Sequence, residues 1–476
     1  MATVSPARKA AFDVLMAVER GHAHSDNLLR GKSVEALSSA DRNLATALVL
    51  GVLRWQIRLD WQLKSFLKRP GARLDAEILV ALRLGAFQLL FLDRIPAHAA
   101  IDESVELAKR AGHSYAARMV NAVLRKLAAW AAENRALVTA LHQDAAAVAP
   151  RLQADDARAL SPATELALAE AHPAWMVERW AGFYGLEAAR MICRHGQGQP
   201  AETVRLESPA VEAELTSAGV RLAPGELLSA ARSVISGDVA SAAAFHAGRV
   251  RLQDEGSQLI GEIAAAGSAG RGAGNLMDLC AAPGGKTLIL AERNPQARIV
   301  ACEANAQRLA QLRQRLARYE GRIECRLADA AAIEDDACFD AALADAPCSG
   351  TGTLGRNPEI RHRVHAEDLP RQAERQRAIL RSALRAVRPG GCVVYSTCSL
   401  EPEENEQVVD AVLKDSPQAR TIPLGSLIEA LENCGALTPS GAERLRSCVT
   451  HGGALRLLPG VFRTDGFFAA LIERTA

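Results

Sequence analysis

Five short apolar segments in the second half of the chain restrict its fold more than any other feature. They are NLMDLC (275–280), ARIVACEA (297–304), RIECRLADA (322–330), FDAALADAP (339–347) and GGCVVYSTC (390–398), with helical stretches between them. Strands that alternate with helices are typical of βαβ units, which build a parallel sheet covered by helices. We therefore predict a doubly wound α/β domain over residues 250–476, with its functional residues at the carboxyl edge of the sheet.

The N-terminal part of the chain has a helical pattern instead. Apolar residues recur at three- and four-residue spacing, as in PARKAAFDVLMAVERG (6–21) and SADRNLATALVLGVLRWQIRLDWQLKSFL (39–67). Ser39 is the predicted N-cap of the second helix, Arg42 is expected to face outward, and Pro70-Gly71 marks the next connection. Residues 1–143 are predicted to form an all-helical domain.

Two further segments separate these domains. The stretch from 144 to 165 is rich in Ala, Pro and Asp and is predicted to be a linker. In residues 166–249 a helix is followed by short strand candidates, among them TVRLES (203–208), that alternate with helical sequence. A small α+β subdomain is expected there, and a chain of 476 residues is long enough for about two to four domains in all.

Composition indicates a globular protein. Hydrophobic residues make up 49% and charged residues 23%, and the net charge is +1, which excludes a disordered acidic or basic chain. Aromatic residues make up only 4%, so base stacking on aromatic side chains is not the expected mode of contact with nucleic acid. Residues 1–130 carry 19 Lys and Arg against 12 Asp and Glu. This excess indicates either a surface for a polyanion or a solvated helical face.

The ten cysteines all lie at or after Cys193, and none forms a CxxC pair. Neither a metal site nor a disulfide scaffold is therefore expected, and a reducing compartment fits best. The beginning of the chain lacks the apolar region of a signal peptide, and the apolar run ILVALRLGAFQLLFL is broken by Arg83. We expect a cytoplasmic protein without membrane contact.

DLCAAPGGKT (278–287) ends one predicted strand and opens the next helix, where free backbone N–H groups bind charged or polar ligands. Gly285, Lys286 and Thr287 fit the end of a phosphate-binding P-loop, but Cys280 stands where that motif requires its first glycine. A nucleotide hydrolase is therefore disfavoured. Glu303 and Asp329 follow the next two strands, where they are placed to bind ribose hydroxyls and an adenine amine. This order predicts a site for an adenosyl group.

Cys348 and Cys398 follow the fourth and fifth predicted strands, beside Asp345. If those strands are neighbours, both thiols open into one crevice; the alternative is that both are core residues. Methylation of C5 of a pyrimidine would use such a pair, because C5 is unreactive until a thiolate adds to C6. Asp345 would bond N3 of the base, and the second thiol would assist elimination. Position alone does not say which cysteine attacks.

DLCAAPGGKT, DAPCSGTGTLGRNPEIR (345–361) and STCSLEPEENE (396–406) resemble the signature motifs of the RNA cytosine-C5 methyltransferase family of RsmB-like and NSUN-like enzymes. Residues 1–130 are similar to the NusB-like domain of its small-subunit rRNA branch, and the likeness covers nearly the whole chain. The resemblance implies a mostly parallel seven-stranded sheet, S-adenosylmethionine as cofactor and 16S rRNA or a small-subunit precursor as partner. It also implies a monomer, with Cys398 as nucleophile and Cys348 in product release. The implied cofactor contacts are Cys280, Ala281, Ala282, Pro283, Gly284, Gly285, Lys286, Glu303, Asp329 and Asp345.

The chain departs from the family pattern at His195–Pro200, His362 and Phe462-Arg463, which concerns substrate contacts more than chemistry. Nine arginines between Arg356 and Arg388 either grip RNA phosphates or form a solvated helix face. EPEENE (401–406) is expected to be the acidic first turn of a helix without a catalytic role. An alternative function is an RNA-binding antitermination factor with an inactive methyltransferase domain.

Overall fold

The computed structural model describes residues 3–21, 24–143, 160–269 and 274–475. These form two compact units. The helical unit comprises Met1–Gln199 and Leu354–Arg363, and the sheet unit comprises Pro200–Thr353 and Val364–Ala476. Most of the predicted linker, 144–159, lies outside the described residues. Within the described ranges, no helix is long and apolar enough to cross a membrane.

Among the described residues before Pro200, the helical unit contains eleven α-helices. They are α1 (Pro6–Glu19), α2 (Ser25–Leu29), α3 (Lys32–Glu35), α4 (Ser39–Lys64), α5 (Ala76–Phe91), α6 (Ala97–Arg110), α7 (Ala117–Glu133), α8 (Arg135–Gln143), α9 (Pro162–Ala169), α10 (Ala174–Tyr184) and α11 (Leu186–Gln197). The apolar faces of α1 and of α3 to α7 meet in one core that includes the fully buried Leu48, Leu82 and Leu124. The all-helical prediction for this part of the chain is confirmed.

Two local features explain the packing at α4. The predicted cap Ser39 is wrong by one residue, because the helix begins at Ser39 and the hydroxyl of Ser38 accepts the Asp41 N–H at 3.1 Å. Gly51 lets α4 and α5 approach closely, since a Cβ at Gly51 would lie 2.0 Å from the ring of Phe87. Arg42 is exposed, as predicted.

The remaining helices follow in chain order. They are α12 (Pro209–Ser217), α13 (Ala243–His246), α14 (Glu255–Ala269), α15 (Gly285–Arg293), α16 (Ala306–Leu316), α17 (Ile360–Arg363), α18 (Leu369–Ala386), α19 (Glu406–Asp415), α20 (Gly425–Asn433) and α21 (Pro439–Arg446). Of these, α17 belongs to the helical unit and the others belong to the sheet unit.

The sheet unit contains a small antiparallel sheet in the order β2-β3-β1-β4. Its strands are β1 (Thr203–Leu206), β2 (Arg221–Pro224), β3 (Ala231–Ser236) and β4 (Val250–Leu252). Together with α12 and α13 it supplies the small α+β element expected from the sequence. The boundaries of the three predicted domains and of the linker stay a prediction, and helices α9 to α11 lie within the helical unit.

Within the described residues the large sheet has eight strands, one more than the seven that the family resemblance implies. Seven lie in the order β10-β12-β9-β8-β5-β6-β7, and the short eighth strand, β11, pairs with β12. The strands are β5 (Asn275–Asp278), β6 (Arg298–Glu303), β7 (Ile323–Leu327), β8 (Phe339–Asp345), β9 (Val387–Thr397), β10 (Ala419–Ile422), β11 (Leu455–Leu457) and β12 (Phe467–Arg474). The five from β5 to β9 are parallel, and the other three are antiparallel. The mostly parallel Rossmann-like sheet is confirmed.

The strand order places the carboxyl ends of β5, β8 and β9 side by side at the point where the winding reverses, which is where such sheets bind ligands. Residues Asp345 of β8 and Ser396 of β9 are register partners. The segment RPGG (388–391), whose composition is typical of a turn, lies inside β9, where the pairing with β8 shifts between Phe339 and Ala341. Gly390 has φ 78° there, a left-handed conformation that favours glycine.

Candidate active site

A cleft opens at the carboxyl end of β5 in the sheet unit. Its lining residues are Arg251, Leu252, Gln253, Ser257, Asp278, Cys280, Ala281, Ala282, Pro283, Gly285, Lys286, Arg315 and Asp345. Six of the seven predicted cofactor-loop residues are among them, and the seventh, Gly284, is the N-cap of α15. The structure therefore brings the loop and Asp345 to one concave surface.

The loop from β5 to α15 owes its shape to Gly284. This residue has φ 102°, which strongly favours glycine, and a Cβ there would meet Leu312 at 2.9 Å. Beneath the loop, the buried Asp278 carboxylate accepts the Thr287 hydroxyl at 2.7 Å. Burial raises the pKa of Asp278 to about 6. The first N–H groups of α15 are left without helical partners, as a polar ligand requires.

Sequence reasoning missed six of the cleft residues: Arg251, Leu252, Gln253, Ser257, Asp278 and Arg315. Gln253 lies against the loop, since a Cβ on Gly285 would approach its side chain to 3.0 Å. The polar segment QDEGSQL (253–259) is a sequence signal that could have indicated Gln253 and Ser257. Arg315 donates to the Pro283 carbonyl at 3.1 Å, a contact that no sequence pattern indicates.

Glu303 and Asp329 lie at the ends of β6 and β7, but neither lines this cleft. Glu303 is buried and accepts the Asn305 N–H at 2.9 Å, with Arg308 at 3.4 Å from its other oxygen. Asp329 is exposed and caps a short turn by accepting the Ala331 N–H at 3.0 Å. Both carboxylates thus bond nearby backbone, and their cofactor contacts stay predictions.

Asp345 and Lys286 form an ion pair in the cleft, with 2.7 Å between Asp345 Oδ2 and Lys286 Nζ. The other carboxylate oxygen accepts the Ser396 hydroxyl at 2.7 Å. Burial lowers the pKa of Lys286, but the negative charges around it, Asp345 foremost and then Cys398, more than offset that effect and raise it. Lys286 is therefore a fixed positive charge within electrostatic reach of the Cys398 sulfur.

The two cysteines that follow β8 and β9 lie in contact. The sulfur atoms of Cys348 and Cys398 are 3.4 Å apart, and both side chains are half-buried. Backbone hydrogen bonds join the two loops, with the Ala346 N–H donating to Ser396 at 2.8 Å and the Gly352 N–H to Cys398 at 2.9 Å. The hydrogen bond with Cys398, followed by burial, raises the pKa of the Cys348 thiol well above its ordinary value. Cys348 is therefore protonated at neutral pH.

The EPEENE segment differs from its prediction. Only Glu406 lies in the first turn of an α-helix, α19; Glu403 and Glu404 belong to a short 3-10 turn before it, and Glu401 and Glu404 are fully buried. The chain turns inward after Cys398, so that the Glu404 carboxylate faces the loops at the ends of β8 and β9. Acidic composition indicated a dipole effect and could not reveal this burial.

Two departures from the family pattern have structural roles. His362, in the helical unit, contacts the Leu53 carbonyl through Nε2 at 2.8 Å, and burial lowers its pKa to about 4. Phe462, in the sheet unit, is buried with the Arg444 guanidinium 4.1 Å from its ring centroid, while Arg463 is exposed. Neither position lines the cleft. Across the described residues, no group of three or more His, Cys, Asp and Glu side chains could hold a metal ion.

Family models match most of the chain. Residues 270–473 match the model of the 16S rRNA methyltransferase RsmB/F, and residues 5–129 match that of the NusB family. A probable ribosomal RNA small subunit methyltransferase B of Bacillus subtilis strain 168 is 33% identical over 481 residues, covering 98% of each chain. Ribosomal RNA small subunit methyltransferase B of Pseudomonas putida is 31% identical over 461 residues, covering 94% of this chain and 96% of the relative.

Solved structures show the same fold. The crystal structure of PH0851 is similar over 99% of both chains, with a TM-score of 0.73 and 23% sequence identity. A methyltransferase homolog protein from Pyrococcus horikoshii has a TM-score of 0.52 and 25% identity, over 66% of this chain and 99% of its own.

Proposed function

Because the chain belongs to the 16S rRNA methyltransferase RsmB/F family, we propose that it methylates C5 of a cytosine in 16S rRNA through a covalent bond between Cys398 and C6. Membership of this family makes the chain an S-adenosylmethionine-dependent 16S rRNA methyltransferase. What we propose beyond this is the target base, the methylated atom and the covalent route.

The pair of thiols supports this chemistry. Cys348 and Cys398 lie 3.4 Å apart at the ends of neighbouring strands, and Asp345 ends the same strand that precedes Cys348. Methylation of an exocyclic amine needs no thiol, because the nitrogen already carries a nucleophilic electron pair. A carbon such as C5 needs activation by addition of a nucleophile to the ring, which a thiolate performs well.

Cys398 is the proposed nucleophile. Its sulfur forms a bond to C6, and the electrons of the C5–C6 double bond move toward C5, which then accepts the methyl group. Lys286 carries a positive charge within electrostatic reach of this sulfur. Asp345, held by Lys286 and Ser396, is the proposed partner for N3 of the base.

The cleft residues fit S-adenosylmethionine, which supplies the methyl group when it is bound. The N–H groups at the start of α15 and the buried Asp278 provide polar contacts around the loop from Cys280 to Lys286. Glu303 and Asp329 are kept as the proposed contacts for the ribose and the adenine. Each would have to exchange part of its local backbone hydrogen bonding for the ligand.

Cys348 is the proposed release residue. After methyl transfer, the C5–H bond breaks and its proton goes to a base or water; the C5–C6 double bond re-forms, and the C6–S bond breaks. The departing sulfur of Cys398 becomes a thiolate. A protonated Cys348, 3.4 Å away, can donate a hydrogen bond to that thiolate and stabilise it.

RNA recognition is assigned in part to the helical unit. Residues 5–129 match the NusB family, and the excess of basic residues in this region favours a polyanion. We propose that the protein acts in the cytoplasm, since an rRNA substrate is made and assembled there. We also propose that it is a monomer.

Bisulfite sequencing of 16S rRNA tests the proposed function. In a strain that lacks the chain, one cytosine should lose its resistance to bisulfite, and expression of the wild-type chain should restore it. Expression of Cys398→Ala should fail to restore it. An unchanged bisulfite pattern in the deletion strain would contradict methylation at C5 of cytosine in this RNA.

The alternative, an antitermination-type RNA-binding factor with an inactive methyltransferase domain, rests on the NusB match. It is disfavoured because the chain retains the cofactor loop, Asp345 and both thiols. Incubation of the purified chain with labelled S-adenosylmethionine and 16S rRNA separates the two functions, since the alternative predicts no label in the RNA.

A further inference from the structure

Glu404 is a carboxylate without solvent exposure between β9 and α19, in the segment that follows Cys398. Four donors surround it. Its Oε1 accepts the Ser349 N–H at 2.8 Å and the Gln376 side-chain amide at 3.0 Å, and its Oε2 accepts the hydroxyls of Ser349 and Ser399. Burial of a carboxylate is costly unless such bonds compensate it.

The donors to Glu404 are neighbours of the thiols in sequence. Ser349 directly follows Cys348, and Ser399 directly follows Cys398. Their hydroxyls lie 3.1 Å apart and share one oxygen of Glu404. One carboxylate therefore joins the loop that carries the first thiol to the loop that carries the second.

Gln376 extends this contact to the other side of Cys348. Its amide donates to the Pro347 carbonyl at 2.9 Å as well as to Glu404. Asn405, the next residue after Glu404, brackets Cys398 in the same way. It donates to the Ser399 carbonyl at 2.9 Å and accepts the Thr397 hydroxyl at 2.5 Å.

We propose that Glu404 is a positioning residue that holds the Cys348 and Cys398 loops together so that both sulfur atoms reach one cytosine ring. The inference rests on the proposed function, because it takes these thiols as the reacting groups. A displacement of about 1 Å in a reacting group can lower a rate by about 100-fold. Loss of the Glu404 contacts between the two loops should therefore lower the rate strongly and change substrate affinity only slightly.

The charge of Glu404 has a second consequence. The hydrogen bond with Cys398, burial, and the negative charges of Cys398 and Glu404 together raise the pKa of Cys348. The carboxylate thus supports the protonated form of Cys348, which is the form that the release step uses.

Steady-state kinetics with 16S rRNA transcript and labelled S-adenosylmethionine test the proposal. Glu404→Ala should lower kcat by about 100-fold, with KM for both substrates within about threefold of wild type. Glu404→Gln should lower kcat by less than about tenfold. The amide oxygen still accepts two hydrogen bonds, and the serine hydroxyls can rotate to accept hydrogen bonds from the new NH2 group. Ser349→Ala combined with Ser399→Ala removes the shared oxygen contact and keeps Glu404 itself, in case Glu404→Ala does not fold.

Asp340→Asn is the matched control. Asp340 is also buried in the sheet unit and accepts the N–H groups of Gly274 and Asn275 at 2.6 and 2.8 Å, but it lies at the opposite end of β8 from Asp345. Its loss should lower stability and leave kcat of the folded enzyme within about threefold of wild type. A kcat for Glu404→Ala equal to that of Asp340→Asn would overturn the proposal.

Oxidation of the thiols by diamide gives a readout without RNA. Cys348 and Cys398 together lose two electrons and two protons to diamide, which becomes a hydrazine, and a disulfide forms between sulfur atoms now 3.4 Å apart. Mass spectrometry should find this disulfide forming more than about tenfold more slowly in Glu404→Ala than in wild type or Asp340→Asn.

Equal rates of disulfide formation in Glu404→Ala and wild type would overturn the proposed positioning, whatever the kinetics show. If wild type gives no methylated RNA but Glu404→Ala still slows the disulfide, the proposed function fails and the tie between the loops stands. The two failures are therefore distinguishable.

Discussion

The segment from Asp345 to Arg363, which contains the motif DAPCSGTGTLGRNPEIR (345–361), divides between the two units, and its halves have opposite characters. The thiol half, Asp345–Thr353, lies in the sheet unit and presents Asp345 and Cys348 at the edge of the sheet. The anchored half, Leu354–Arg363, lies in the helical unit, where Glu359 and Arg361 are buried. Thr353 and Leu354 are adjacent in the motif but belong to different units of the fold.

Arg361 shows the character of the anchored half. Its side chain is buried and donates to the carbonyls of Arg54, Ala171 and Gly196 at 2.9, 3.3 and 2.9 Å. Burial lowers its pKa to about 9. Glu359, also buried, accepts the Ser25 N–H and hydroxyl at 3.1 and 2.9 Å. Within the helical unit, the anchored half therefore completes the backbone hydrogen bonding of several helices.

This comparison corrects one reading of the sequence. The arginines from Arg356 to Arg388 were expected either to grip RNA or to form a solvated face, and Arg361 does neither. Several others are partnered by carboxylates, for example Arg371 by Asp368 and Arg381 by Asp415. The role of a charge follows from its place in the fold, which composition cannot supply.

The largest predicted effect concerns the thiol half. Asp345→Asn leaves the buried Lys286 ammonium without its carboxylate, and in the proposed function it also removes the partner of N3. We expect single-turnover methylation of 16S rRNA to slow by about 100- to 1,000-fold. A rate within threefold of wild type would show that Asp345 takes no part in methyl transfer, and both halves of the segment would then have only structural roles.

The anchored half should affect stability instead. Arg361→Met removes a buried donor to three carbonyls of the helical unit, those of Arg54, Ala171 and Gly196. The free energy of unfolding should fall by about 2–4 kcal/mol in urea denaturation, while the affinity for S-adenosylmethionine is unchanged. Arg371→Met, at a side chain that is 79% exposed, is the control and should cost less than about 0.5 kcal/mol. A stable Arg361→Met would contradict the comparison.

The cofactor loop of the sheet unit also buries a charge, and pH reveals its cost. Because burial raises the pKa of Asp278 to about 6, the folded chain holds this proton more tightly than the unfolded chain. Its contribution to the free energy of unfolding is full below about pH 4 and declines as the pH rises through 6, by roughly 2–3 kcal/mol. Urea unfolding of Asp278→Asn should lack this decline, so its stability relative to wild type should improve between pH 4.5 and 7. A relative stability independent of pH would contradict this.

The smallest effect concerns Arg375 on α18, which is exposed and has no carboxylate partner within the described parts of the chain. If Arg375 contacts an RNA phosphate, Arg375→Ala should weaken 16S rRNA binding about fivefold. It should also reduce the slope of log binding constant against log salt concentration by about one. Arg381→Ala, whose charge is already paired with Asp415, is the matched control. Equal salt slopes for wild type and Arg375→Ala would place Arg375 outside the RNA contact.

The sequence alone predicted strands β5 to β9, because each is an apolar run that ends in turn residues. It missed β10 and β12 as antiparallel strands, since they are separated by helices α20 and α21 and gain their place only by pairing with β9 and each other. The cofactor loop followed from its position between a strand and a helix. The sequence could not predict the ion pair of Lys286 with Asp345 or the hydrogen bonds of Glu404, because these contacts join residues that are distant in sequence.

The most direct test of the covalent route is the detection of a protein–RNA adduct by denaturing gel electrophoresis and mass spectrometry. With S-adenosylmethionine and 16S rRNA, Cys348→Ala should accumulate a complex in which Cys398 is bonded to a cytosine. Cys398→Ala should form none and should methylate no RNA. An adduct through Cys348 in the Cys398→Ala chain, or methylation that survives the loss of Cys398, would contradict the assigned roles of the two thiols.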